Sequence, residues 1–172
     1  MKIIPLSEGA FTIDKTKQFV PFNKDEDDLQ QRSTGSLLVE IQPFCIETKK
    51  DIIIIDTGLG FSDGNGILQL HQNLLNNSID PMDVTKVLLS HLHKDHAGGI
   101  SKEDHLLKQR FISFPNATYY VNKDELEHAI QKNNPSYNPD EFEMLMNADK
   151  VVLTEGDGMI DQYITYTLPG AH

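Results

Sequence analysis

Three imidazoles and a carboxylate crowd into six positions, His91-Leu92-His93-Lys94-Asp95-His96, directly after the apolar run Val84 to Leu89. Desolvating four such side chains side by side is costly unless a cation compensates them. Imidazole and carboxylate suit zinc, and equally iron or manganese. The segment therefore requires an apolar strand that ends in a polar, ligand-bearing loop. In extended backbone, residues two apart point the same way, so His91 and His93 can grip one ion together. Asp95 and His96 come after the chain turns and can face a second ion close by. Gly98 and Gly99 let the loop pack tightly, since glycine reaches backbone angles other residues avoid. Lys94 is expected outside the site and solvated, because a cation among metal ligands is unfavourable.

The surrounding chain reads as alternating strands and helices. Short β-prone pieces run from Lys2 to Pro5, Ala10 to Ile13 and Gln18 to Phe22. Leu37 to Glu47 reads as one strand interrupted at Pro43, and Ile52 to Ile55 as a strand covered on both faces. These two pieces predict a hairpin. Ile67, Leu68, Leu70, Leu74 and Leu75 fall on one helical stripe. Further on, strands are expected over Phe111 to Phe114, Ala117 to Val121, Val151 to Leu153 and Gln162 to Leu168. Asn122 can cap a helix that carries Glu125 three residues on, with Leu126, Ala129 and Ile130 as its apolar face. A second short helix is expected from Pro139 to Ala148. The order strand, loop, helix, strand is that of layered α/β proteins.

Composition narrows the function classes. With 15 basic and 26 acidic residues the net charge is −11, which argues against a nucleic-acid groove. No apolar run approaches the ~20 residues of a membrane span. Met1 to Glu8 has no signal-peptide apolar region, and a single cysteine excludes an internal disulfide or a multi-Cys zinc site. These features point to a cytoplasmic, acidic, globular protein of one domain. Lys24 to Asp28 reads as a solvated loop. His71, His105 and His128 read as surface residues, Cys45 as a small core residue, and Tyr119, Tyr120, Tyr163 and Tyr166 as strand packing.

Three segments together resemble the metallo-β-lactamase fold superfamily of metal-dependent hydrolases. Asp56-Thr57-Gly58 after an apolar strand is similar to the first motif of that family. Ser90 to Gly99 matches its His-x-His-x-Asp-His signature. Thr167-Leu168-Pro169-Gly170-Ala171-His172 looks like the start of the third motif, whose histidine is a metal ligand. Phe114-Pro115-Asn116-Ala117, followed by a strand and a Glu-containing helix, resembles the branch that holds N-acyl homoserine lactonases.

The resemblance implies an αββα sandwich and a site holding zinc, two ions in the complete protein, with iron or manganese as alternatives. His91, His93 and His172 would bind the first ion, and Asp95 and His96 would supply part of the second site. Asp56 would orient the ligand loops through hydrogen bonds. The implied chemistry is attack of a metal-bound hydroxide on a small ester, thioester or lactone, with Asp95 handling the proton. Phosphodiester or phosphotriester hydrolysis by the same centre is the alternative, and a non-catalytic metal-binding piece is another.

The chain stops at His172, on the third-motif ligand itself, whereas the family continues to a bridging aspartate, a further histidine and the second half of the sandwich. The expectation is one domain over residues 1–172, C-terminally incomplete. It would hold the N-terminal half of the sandwich or a little more. Its open sheet face would await a missing C-terminal half or invite self-association.

Overall fold

The computed structural model describes residues 1–104, 107–131 and 134–169. Its strands are β1 (Lys2–Pro5), β2 (Gly9–Ile13), β3 (Phe19–Pro21), β4 (Leu37–Ile41), β5 (Phe44–Glu47), β6 (Ile52–Ile55), β7 (Lys86–Leu88), β8 (Ser101–Asp104), β9 (Gln109–Ile112), β10 (Thr118–Asn122), β11 (Val151–Thr154), β12 (Gly158–Ile160) and β13 (Ile164–Tyr166). The helices are α1 (Gln69–Asn76), α2 (Lys94–Ala97), α3 (Lys123–Gln131) and α4 (Pro139–Met146).

Six strands form the central sheet in the order β1-β5-β6-β7-β10-β11. The run Ile52 to Ile55 lies inside it, antiparallel to β5 and parallel to β7. Burial of Ile53 and Ile54, neighbours that point to opposite faces, explains why the run is apolar throughout. The β5–β6 hairpin forms as expected. The stretch Leu37 to Glu47, however, is not one interrupted strand. Pro43 separates β4, which joins a small sheet in the order β3-β2-β4, from β5 in the central sheet. A missing N–H at the junction makes the change of sheet cheap there.

One face of the central sheet carries the core. Ile4, Cys45, Ile54, Val87, Tyr119 and Val121 pack in one cluster with Leu70 and Leu74 of α1, Leu126 and Ala129 of α3, and Phe142 and Leu145 of α4. Burying each large aliphatic side chain contributes roughly 1.5–3 kcal/mol. The opposite face is more open, with Ile3 58%, Phe44 37% and Val152 42% exposed. The hairpin β12–β13 lies against part of it: Asp161 pairs with Lys86 at 2.9 Å, and the Tyr163 hydroxyl donates to Asp51. Lys86, buried in β7, also pairs with Asp51.

Several helix faces differ from expectation. In α1 the buried positions are Leu70, His71 and Leu74, while Leu75, and Ile67 just before the helix, are exposed. The stripe is rotated toward His71, whose ring packs edge-on against Phe114. His71 is thus a core residue and not a surface one. In α3, Leu126 and Ala129 are buried but Ile130 is exposed. Helix α4 ends at Met146, short of Ala148. His128 is exposed and Cys45 is fully buried, as read from sequence. His105 lies outside the described residues. Among the described residues no helix is long and apolar enough to cross a membrane.

Candidate metal centre

Strands β6 and β7 are parallel neighbours, so the loops that leave their C-terminal ends emerge at the same edge of the sheet. Open α/β sheets place ligands at that edge. The first loop is Asp56 to Gly60, and the second is Ser90 to Gly99. They are stitched together: Thr57 N donates to His96 O at 2.6 Å, and Gly98 N donates to Gly58 O at 2.8 Å. Gly60 has φ +73°, and a Cβ there would run into the Gly98 carbonyl, so only glycine allows this approach.

Asp56 itself sits in the left-handed region, at φ +60°. An aspartate tolerates that conformation better than most residues. The turn aims its carboxylate at the second loop. Oδ1 accepts from Ser90 N at 2.7 Å, and Oδ2 accepts from Ser90 Oγ at 2.8 Å and from His96 Nδ1 at 2.8 Å. With the Ser90 hydroxyl proton given to Asp56, the contact of 3.1 Å between His91 Nδ1 and Ser90 Oγ assigns the donor role to His91 Nδ1. Both rings then carry their proton on Nδ1 and turn an Nε2 lone pair outward.

His96 Nε2 faces Asp95 Oδ2 at 3.5 Å. Burial alone would push the His96 imidazole pKa down, but the hydrogen bond to Asp56 and the charges of Asp56 and Asp95 outweigh it and hold the pKa above its ordinary value. The His91 ring lies 4.0 Å from that of His96 and 4.7 Å from that of His93, centre to centre. Leu92, between the two histidines, is fully buried. His91 and His93 therefore share a side, as alternation requires.

Among the described residues no group of three or more His, Cys, Asp or Glu side chains stands in a metal-holding arrangement. The His91 and His96 rings pack against each other at a 48° tilt, and His172, the remaining sequence-derived ligand, lies outside the described residues along with Gly170 and Ala171. The donor set nonetheless fits a divalent ion chemically. Two imidazoles with Nδ1–H fixed and a carboxylate facing one Nε2 form a concentration of lone pairs that a cation neutralises.

Lys94 is not simply solvated. Its ammonium stands 6.0 Å from the centre of the Phe19 ring, in the wall of a cavity shared with His93 and Asp95. Three supporting residues carried no such role in the sequence. Ser90 relays Asp56 to His91. Glu125, read as the distal half of a capping box, does have its N–H capped by Asn122 at 3.0 Å, but its Oε1 accepts from Leu92 N at 2.9 Å instead. Glu8, buried at 4% exposure, accepts from Leu59 N at 2.7 Å below the Asp56 loop. Position three after Asn122 was a usable signal for Glu125, whereas nothing local marks Glu8.

The family model of the metallo-beta-lactamase superfamily matches residues 41–170, which takes in both loops. The chain belongs to the metallo-beta-lactamase superfamily. Over 52 residues it is 44% identical to N-acyl homoserine lactonase AttM of Azorhizobium caulinodans, a stretch that is 30% of this chain and 16% of that protein. The AttM lactonase of Agrobacterium fabrum is 43% identical over 51 residues, 30% of this chain and 15% of that protein. Among solved structures, AidC, a dizinc quorum-quenching lactonase, superposes with a TM-score of 0.64 at 21% identity, covering 92% of this chain and 60% of that one. A probable metal-dependent hydrolase from Staphylococcus aureus gives a TM-score of 0.61 at 22% identity, again covering 92% and 60%. The chain thus spans about three fifths of these solved relatives and a smaller part of the curated ones. The mixed α/β layering expected from the sequence is the layering of this superfamily.

Proposed function

We propose that this chain carries the metal-binding part of a hydrolase that acts on a small ester, thioester or lactone, with a lactone favoured by the likeness to the AttM relatives. The observation that carries the reading is the Asp56–Ser90–His91 and Asp56–His96 network, which fixes two imidazoles as lone-pair donors beside Asp95. In this reading His91, His93 and His172 hold one ion, and Asp95 and His96 supply part of a second site. Zinc is the favoured metal, since AidC is a dizinc protein.

His91, His93, Asp95 and His96 would hold a divalent ion, which when bound would supply a more acidic water and a Lewis acid for a carbonyl. The chain's own residues supply orientation and proton handling. Asp56 sets ring direction and tautomer through Ser90 and His96. Asp95, the one carboxylate inside the motif, is the group to which this reading gives the proton near a reacting carbonyl.

The test is elemental analysis of the purified chain after extensive dialysis, paired with hydrolysis assays on a lactone and an open ester. About one metal per chain or more is expected, and His93→Ala should lose both metal and hydrolysis. Hydrolysis that persists in metal-free protein would overturn the reading. Metal retained without hydrolysis would favour a non-catalytic binding role.

A further inference from the structure

A cavity of about 380 Å³ opens beside His93 and Asp95. Its far wall comes from the small sheet and is apolar, with Ile13, Phe19, Leu37 and Val39. Lys15, Lys17 and Lys94 also line it. In a chain of net charge −11, three cations gathered at one cavity stand against the overall balance.

None of the three forms an ion pair among the described residues, although Lys24, Lys86 and Lys123 do so elsewhere. The wall also holds two carboxylates, Asp14 and Asp95. Asp14 Oδ1 accepts from Thr16 N at 2.8 Å and from Thr16 Oγ1 at 2.6 Å. Asp95 faces His96. Lys17 is held at φ +58° in a turn closed by its own N–H on Asp14 O, which fixes where its side chain starts. Three ammonium groups thus face two carboxylates in this lining, and the excess positive charge favours an anion placed among them.

We propose that the cavity binds a carboxylate carried by the substrate, so that the preferred substrate is an anionic ester, thioester or lactone rather than a neutral one. The carboxylate meets Lys17 and Lys94, the apolar body lies on Phe19, Leu37 and Val39, and the reacting carbonyl points toward His93 and Asp95. This assignment rests on the hydrolase reading above, but anion binding can be measured without turnover.

The experiment uses the zinc-loaded full chain and two hydrolysis-inert probes, 4-acetamidobenzoate and its neutral counterpart acetanilide, titrated calorimetrically or by NMR. The charged probe should bind about tenfold tighter at low salt, and the preference should shrink at high salt. In K17M/K94M the ratio of the two affinities should fall toward one, and in K17R/K94R it should be retained. A carboxylate that simply ligated zinc would keep its preference in K17M/K94M. That result, or equal binding of the two probes, overturns the proposal. In parallel, the kcat/KM ratio of 4-acetoxybenzoate to phenyl acetate should drop by a similar factor in K17M/K94M. If neither ester is cleaved while the binding preference follows the lysines, the hydrolase reading fails and the anion site stands.

Discussion

Glu8 and His71 show how a single buried group shapes behaviour far from any reaction. Burial raises the Glu8 carboxyl to about 7, only partly offset by its hydrogen bond from Leu59 N, and its Oε1 has no hydrogen-bond partner among the described residues. A carboxyl raised in the folded state binds its proton more tightly there than when unfolded. Its stabilising contribution is therefore full below pH 4.5 and is lost as pH rises through 7. His71 runs the other way. Burial depresses its pKa to about 4, with Lys102 contributing, so its contribution is full above pH 6.5 and is lost as pH falls toward 4. Between these limits the two slopes oppose each other. Replacing Glu8 with Gln should remove one of them. Denaturant melts across pH 4 to 7 should then show stability rising with pH relative to the parent, by about 3 kcal/mol over the window. Parallel profiles would mean that Glu8 does not titrate there. Neither residue's burial was legible from sequence. His71 sits beside Gln72 and Asn73, and the Phe114 ring that packs against it is more than forty residues away.

Elements were legible where an apolar pattern defines them. Strand β1, the hairpin β5–β6 and the start of α3 follow directly from β-branched runs and a capping asparagine. Strand β8 was not legible, because Ser101-Lys102-Glu103-Asp104 has no apolar residue and is a strand only through pairing with β9. That hairpin is anchored by the fully buried Glu141 of α4, which accepts from Ser101 N at 2.7 Å and pairs with Arg110. The histidine loop was fully legible in composition, but its support was not. Helix α3 holds it through Glu125, whose Oε1 takes the N–H of buried Leu92 and, at 3.4 Å, the hydroxyl of Tyr137. Removing that acceptor strands a part-buried donor. Glu125→Ala should cost about 1–3 kcal/mol in chemical denaturation, and Glu125→Gln, which keeps an acceptor oxygen, should cost less. Equal losses in the two variants would show that the Leu92 contact is not what the side chain contributes.

At the scale of the whole molecule the layers are unequal. One sheet face is roofed by α1, α3 and α4, while Ile3, Phe44 and Val152 lie open on the other, apart from the part touched by β12–β13. Charge placed there should disturb little inside the core. The isolated chain should bind an apolar reporter dye and sediment with concentration-dependent mass. Phe44→Lys combined with Val152→Lys should weaken both while leaving the melting transition nearly in place. A monomeric parent chain that ignores the dye would contradict this. The net charge also bears on ligand capture. An overall −11 repels anions at long range, whereas Lys15, Lys17 and Lys94 act only within about one Debye length, ~8 Å at physiological salt.

The stitching of the two loops has a consequence for the order of events during synthesis. Both loops belong to one contiguous strand–helix–strand unit, residues 52–99, and their mutual hydrogen bonds span no more than about forty positions. Every residue in those contacts precedes Glu125 in the chain. As the chain leaves the ribosome, Asp56 can meet Ser90 and His96 before Glu125 has emerged. The ligand loop is thus built from the inside outward. Its donor orientation is established within one nascent segment, and the helix that locks it in place arrives afterward.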